Sequence, residues 1–386
     1  MFSGVREYET EFIRTYGAIR RFLSVKGHFM NTSGMNYAPA AIPAPVVKAG
    51  EFIFAAVALD HGHIYGQCEG LIGAGGILKW VYDPDEKKLD HFCRAFPDVK
   101  RARSEAEILE DKEVKLVTGA AVTSERCALG LRVMDAGKDY FTDKAPLTTL
   151  EQLALAREAV IRTGKKYMVY YSERLHVETA VFAGQLIEQG AIGKVLQVIG
   201  LGPHRLSAKS RPDWFFKKEK YGGILCDIGS HQIEQILFYT GAKDATVVRS
   251  QIANYHNPGY PELEDFGDAM LVTDNGATGY FRVDWFTPDG LQMWGDGRSF
   301  ILGTEGYIEQ RKYMNLGTKD GPAHLFLANG KEETHFNVFG KVGYPFFGEL
   351  ILDCLHRTEK AMTQEHAFKA AELCVRAQMQ AERLAF

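Results

Sequence analysis

Three side chains in this 386-residue sequence have types and spacing suited to moving protons at a hydroxyl: Lys144, Asp227 and His231. Asp227 and His231 are four positions apart, so the first turn of a helix would place them on one face. A carboxylate beside an imidazole raises its basicity and fixes its orientation. Such a histidine can take the proton of a hydroxyl. The bland reading is an N-capping aspartate and a core histidine. The preceding Tyr221-Gly222-Gly223 points instead to close backbone approach. Lys144 follows an expected strand at 139–142, where open α/β sheets bind ligands. A lysine there can hold a substrate hydroxyl and lower its pKa as hydride leaves. Elsewhere it would be a solvated surface charge.

A second cluster lies at Ala58-Leu59-Asp60-His61-Gly62-His63-Ile64-Tyr65-Gly66. Dinucleotide folds place glycines after their first strand so that backbone and a helix N-terminus reach the pyrophosphate. Against the GxGxxG pattern, Gly62 is the middle glycine, Asp60 replaces the first and Tyr65 the third. Asp60 is electrostatically wrong beside phosphate unless it turns away or accepts from backbone amides. His61 and His63 either help hold phosphate or are exposed loop residues. Asp83, about 20 residues on, ends the second expected strand. There it can accept from the ribose hydroxyls of NAD and repel the 2′-phosphate of NADP. Alternatively it forms the turn Asp83-Pro84-Asp85.

These groups need a scaffold that alternates strand and helix. The apolar run 52–59 reads as a strand buried on both faces. A helix through about 72, a strand at 77–82, a helix at 85–96 and a strand at 114–118 follow. Then come a helix through 134, the strand 139–142, a helix at 148–163 capped by Thr148 or Thr149, and a strand at 167–171. That order predicts a doubly wound parallel sheet over 51–172. Beyond it, after helices at 177–190 and 231–239, strands dominate: 194–201, 245–253, 268–272, 277–285, 299–302 and 306–310. Residues 173–386 thus read as an α+β domain on a large, mostly antiparallel open sheet, closed by helices at 346–356 and 364–384.

Together these elements resemble the Gfo/Idh/MocA oxidoreductase family from about residue 52 onward. Gly137-Lys138 with Asp143-Lys144-Ala145-Pro146 resembles its "aGK…EKP" element, and Gly222-Gly223…Asp227-Ile228-Gly229-Ser230-His231 its "GGG…D.G.H" element. Gly190-Ala191-Ile192-Gly193-Lys194-Val195 resembles its "G.iG.v" turn, and Gly303-Thr304-Glu305-Gly306 its "GteG" turn. The resemblance implies a Rossmann domain, a substrate and oligomerisation domain, and nicotinamide-linked redox at a ring hydroxyl of a sugar or cyclitol. Lys144 would be the catalytic lysine, and Asp227 with His231 the acid–base pair. The cofactor would be NAD rather than NADP, held by Asp60, Gly62, His63, Ile64, Asp83, Ala120 and Lys144. The chain departs from the pattern at Asp60, Asp143 and Ala145, and has Ala120-Ala121 where Thr-Pro is common.

Substrate contacts are expected from Glu173, Arg174, His204, Arg211 and Trp214, besides His231. Aromatic faces and forked polar groups suit sugars. Structural salt bridging is the equal alternative. His204, Asp227 and His231 lack short metal-ligand spacing, so no metal is expected.

Composition excludes other classes. About 46% of residues are apolar and 24% charged, the net charge is −4, and there is no dense basic run. Nucleic acid and membrane are therefore not expected partners. The partners implied are a small carbohydrate or polyol and further copies of the chain, as a dimer or tetramer. Six cysteines without a CxxC pair read as reduced, in a cytoplasmic protein. Cys226 is a nucleophile or, more simply, a packing residue. Residues 1–50 read as an extension: an amphipathic helix at 5–24, then a Pro/Ala-rich stretch at 36–47, either a disordered leader or an arm on a neighbouring subunit. Arg20-Arg21-Phe22-Leu23 resembles a twin-arginine signal but has no apolar region after it. Met30 and Met35 are alternative starts.

Beyond a plain dehydrogenase, two functions remain open: an enzyme that recycles NAD while cleaving a glycoside through a keto-sugar, and a non-catalytic NAD-binding regulator.

Overall fold

The computed structural model describes residues 37–39, 42–318 and 320–385. The amphipathic helix predicted at 5–24 and the alternative starts lie outside them.

Strands β1 (Ile53–Val57), β2 (Ile77–Tyr82), β3 (Lys100–Arg101), β4 (Val114–Gly119), β5 (Asp139–Asp143) and β6 (Tyr167–Tyr170) form a sheet in the order β3-β2-β1-β4-β5-β6. All its pairings are parallel. The chain reverses its direction of growth between β1 and β4, which opens a crevice at their carboxyl ends. The connecting helices are α1 (His63–Gly73), α2 (Glu86–Ala95), α3 (Glu105–Glu110), α4 (Arg126–Asp135) and α5 (Leu150–Thr163). Thr149, not Thr148, caps α5 by accepting from the Gln152 amide, and left-handed Gly164 ends it. The two-residue β3 and the short α3 are absent from the sequence prediction. Both are too brief for a periodic signal.

The second sheet has nine strands, ordered β14-β13-β12-β11-β7-β10-β9-β8-β15. They are β7 (Val195–Pro203), β8 (Ala245–Ala253), β9 (Phe266–Thr273), β10 (Thr278–Asp284), β11 (Arg298–Gly303), β12 (Gly306–Arg311), β13 (His324–Asn329), β14 (Glu333–Asn337) and β15 (Glu382–Arg383). Only β7 with β10 and β8 with β15 run parallel. Residues 382–383, predicted as the end of the last helix, are this edge strand instead. Strands β13 and β14 were not predicted.

Helices α6 (Glu178–Glu188), α7 (Gly229–Thr240), α8 (Pro345–His356) and α9 (Gln364–Gln380) complete the fold. Helix α7 lies across β7 and β10, and glycines open the space it needs. A Cβ on Gly200 would strike Gln232, and one on Gly279 would strike Ile236. The opposite face is open and apolar: Leu196, Met270, Val272, Phe300, Leu302 and Tyr307 are exposed.

Helices α8 and α9 return to the parallel sheet. Phe346 and Phe347 pack on Phe141, and Tyr171 donates to the Ala367 carbonyl. The Pro/Ala stretch, where described, lies on its own subunit. Val46 donates to the Ala74 carbonyl, and Ile42 and Pro43 lie against Gly343. No helix among the described residues is long and apolar enough to cross a membrane.

Candidate active site

The β1–β4 crevice is built by the turn that leaves β1. The Ala120 amide donates to the Ala58 carbonyl, and the His61 amide donates back to Ala120. Helix α1 begins at His63 behind Gly62, which offers no side-chain cap; His61 Nδ1 accepts from the His63 amide at 3.3 Å and the His61 carbonyl from the Ile64 amide at 3.2 Å. The helix dipole at this end favours an anion. Asp60 does not face it. Its carboxylate pairs with Lys88 of α2 at 2.6 Å, and the same ammonium lies 3.8 Å from Asp83, which offsets the predicted conflict with phosphate. Asp83 accepts from the Leu59 amide at 2.7 Å and the Asp85 amide at 2.9 Å. The turn-forming role is therefore real, and burial pushes this carboxyl up. Each oxygen still has acceptor capacity for a ribose hydroxyl. A dinucleotide held in this crevice would meet Asp83 at the ribose, the Gly62 turn at the pyrophosphate, and Ala120 and Lys144 at the reactive ring.

Under this turn sits Asp143, fully buried at the end of β5. Its Oδ1 accepts from the Lys144 amide at 2.7 Å and lies 2.8 Å from His63 Nδ1. Its Oδ2 accepts from Arg126 at 3.1 Å and lies 3.1 Å from His61 Nδ1. Burial, then the neighbouring His63, lowers His61 to about 3. His61, His63 and Asp143 place one potential metal-ligand atom each within 4.8 Å of one another. Arg126 and the Lys144 amide already occupy the same carboxylate. Arg126 itself is buried and was missed in the sequence: besides the nearby Ala121 carbonyl, its partners Asp143, Lys144 and Ala145 are 17 to 19 positions away.

Lys144 projects from the end of β5, buried, and donates to Asp227 Oδ1 at 2.6 Å and the Asp227 carbonyl at 3.1 Å. Burial alone would raise Asp227, but the Lys144 ammonium overrides it and holds the carboxyl at about 2. Asp227 ends a one-turn helix, Ile224–Asp227, and His231 lies in the first turn of α7. The predicted pairing is corrected here. Asp227 is bonded to Lys144, and no Asp227–His231 hydrogen bond occurs among the described residues. The carboxylate that acts most on His231 is Glu173. Burial outweighs it, so His231 lies well below its usual range and is a neutral imidazole. Its Nδ1, Asp227 Oδ2 and Glu173 Oε1 are all buried without a hydrogen-bond partner among the described residues.

The remaining predicted substrate residues divide. Glu173 faces His231 and His204, with His204 Nε2 at 3.8 Å. His204 packs against Trp285 and Trp294, and burial lowers it to about 4. Arg211 lies over Phe215 and Trp285, close enough to Asp227 to lower it. Arg174 is corrected: its guanidinium pairs with buried Glu234 at 2.5 Å and covers Phe238, so it is structural. Trp214 packs edge-on against Phe215, whereas Trp285 and Trp294, neither predicted, flank His204. Cys226 is buried and its thiol is pushed up, as expected of a packing residue.

With this geometry in view, likeness to other proteins is informative. The profile of the GFO/IDH/MocA C-terminal domain matches residues 181–309. The fold superimposes on a crystal structure described as an oxidoreductase from Erwinia carotovora atroseptica, with 52% identity and a TM-score of 0.84. That match covers 87% of this chain and all of the other. The chain is 27% identical over 236 residues to scyllo-inositol 2-dehydrogenase (NAD(+)) of Bacillus subtilis, covering 61% of this chain and 66% of the relative. It is 29% identical over 133 residues to D-xylose dehydrogenase of Paenarthrobacter nicotinovorans, covering 32% of this chain and 33% of the relative.

Proposed function

Because the chain belongs to the Gfo/Idh/MocA oxidoreductase family, we propose that it transfers hydride between NAD and a ring hydroxyl or ketone of a sugar, glycoside or cyclitol. The observation that carries this reading is the Lys144–Asp227 pair, 2.6 Å apart at the carboxyl edge of β5, with the unpartnered His231 Nδ1 one helical turn on. When bound, the nicotinamide supplies the hydride acceptor for oxidation and the donor for reduction. The protein's part is to bind the alcohol and manage its proton. Lys144 holds a cationic donor at the reacting oxygen and stabilises the alkoxide character that develops as the C–H bond breaks. Asp227 fixes that ammonium and presents one oxygen to a hydroxyl. Neutral His231 accepts the hydroxyl proton, and returns it in the reverse direction. NAD is favoured by buried Asp83, which would repel a 2′-phosphate. The relatives' names, one a cyclitol and one a sugar dehydrogenase, support the substrate class. The open apolar sheet face supports association into a dimer or tetramer.

The test is a panel of inositols, free sugars and aryl glycosides with NAD and with NADP, reading NADH absorbance and released aglycone together. NADH build-up with a polyol is expected. Bound NAD without turnover of any polyol or glycoside would sink the enzyme reading and leave a regulator. The His204–Glu173 pair favours a second reading, in which His204 removes a proton beside the newly formed ketone, the aglycone leaves, water adds to the resulting enone and the hydride returns to the ketone. That route predicts aglycone release with little net NADH.

A further inference from the structure

Glu173 is braced at one oxygen and unpartnered at the other. Its Oε2 accepts from Lys312 Nζ at 2.8 Å and from Gln232 Nε2 at 3.0 Å. Its Oε1 is buried with no hydrogen-bond partner among the described residues. Lys312 lies just past β12, 139 positions from Glu173, and only 1% of its side chain is exposed. The same ammonium donates to Gln235 Oε1 at 2.9 Å, and Gln235 bonds the His231 carbonyl at 2.8 Å. One lysine therefore braces both Glu173 and the helical turn that carries His231. A lysine buried this deeply survives only if it stays paired. Burial would push the Glu173 carboxyl up, but the Lys312 charge keeps it below its ordinary range.

Each of the two carboxylates then has its own lysine. Lys144 is spent on Asp227 and Lys312 on Glu173. What remains is one buried, unpartnered oxygen on each carboxylate, beside the neutral imidazoles of His204 and His231. Such oxygens accept from hydroxyls and repel anions. Arg211 is the nearby cation, and its guanidinium donates to the Leu206 and Arg205 carbonyls.

Resting on the dehydrogenase reading above, we propose that Lys312 is a positioning residue that holds Glu173 as an anionic hydroxyl acceptor. The site thereby selects uncharged polyols and rejects uronates and sugar phosphates. The site would take a second hydroxyl of the substrate at Glu173 Oε1 while the reacting one lies between Lys144 and His231.

Binding to the NADH-loaded enzyme tests this without turnover. D-xylose, D-glucose and D-glucuronate form a series in which a hydrogen becomes a hydroxymethyl group and then a carboxylate. Calorimetry should show the two neutral sugars binding at least roughly tenfold tighter than glucuronate, with glucose 6-phosphate as weak as glucuronate. Glu173→Gln should narrow that ratio several-fold. Lys312→Met should weaken neutral sugars through KM more than kcat, and should add a new acid limb to the pH profile as Glu173 begins to titrate. Lys312→Arg should restore part of the loss. The proposal is overturned if glucuronate binds as well as glucose, if none of these sugars binds, or if Glu173→Gln weakens neutral and anionic sugars equally. Discrimination in binding with no NADH formed would support the proposal while sinking the dehydrogenase reading.

Discussion

The two halves of the site treat their carboxylates differently. In the cofactor half each is already engaged: Asp60 by Lys88, Asp83 by two backbone amides, Asp143 by Arg126, the Lys144 amide and two histidines. In the substrate half Asp227 and Glu173 each have one oxygen engaged and one buried without a partner. Buried polar atoms without partners are costly, and natural structures keep few of them. The first half is therefore a finished scaffold. The second keeps two carboxylate oxygens unpartnered, which the proposed substrate would complete. Substitutions in the scaffold should register in stability, and those in the substrate half in rate and selectivity.

The sharpest break of that contrast is Lys144→Met. Removing the donor aimed at the reacting oxygen should lower kcat by roughly a hundredfold to a thousandfold. Binding of NADH, followed by nicotinamide fluorescence, should persist. A variant that loses cofactor affinity instead would move Lys144 into the scaffold. Asp143→Asn is the counterpart. It leaves Arg126 buried without a charge partner, so urea unfolding should report a loss of about 3 kcal/mol. Near-unchanged stability would show that the hub is not a brace.

The same contrast explains what the sequence revealed. The central strands of the parallel sheet were legible because both faces are buried, and runs such as Ile53–Val57 are continuously apolar. Lys144, Asp227 and His231 were legible because they sit at strand and helix ends in local motifs. Their pairing was not. An i,i+4 argument joined Asp227 to His231, whereas the fold brings Lys144 across 83 positions to take the carboxylate. Lys312, Arg126 and Trp294 act on partners that are remote in sequence, so no local period marks them. Trp285, just past the alternation of β10, carried a signal for burial but none for its neighbour His204. Strands β13 and β14 escaped because they are short and begin and end on polar residues, His324 and Asn329, Glu333 and Asn337.

A finer probe asks whether Asp83 only braces its turn or also selects the cofactor. Asp83→Ser removes the charge and keeps an acceptor near the Leu59 amide. If the carboxylate repels a 2′-phosphate, the NADP-to-NAD ratio of kcat/KM should rise about tenfold. A constant ratio, with a lower melting temperature, would leave Asp83 with the turn alone.

The smallest effect lies in acid stability, and it compares one histidine from each half. Burial lowers His61 to about 3 and His204 to about 4. In the unfolded chain both would titrate near about 6.5. As pH falls below that value the unfolded state binds protons that the native state refuses, so stability falls with pH across the interval down to the native values. Asp143 and Asp227 are depressed, so they add to the loss only below about 3.8. Between about pH 7 and about pH 5.5 His61 and His204 each contribute about 1 kcal/mol of lost stability. His204→Asn should flatten the urea midpoint over that interval by this amount without affecting its value near neutrality. His61→Asn should flatten it as well but also lower it at neutral pH, because His61 lies against Asp143 in the finished scaffold. Equal neutral-pH losses in the two variants would erase the distinction between the halves.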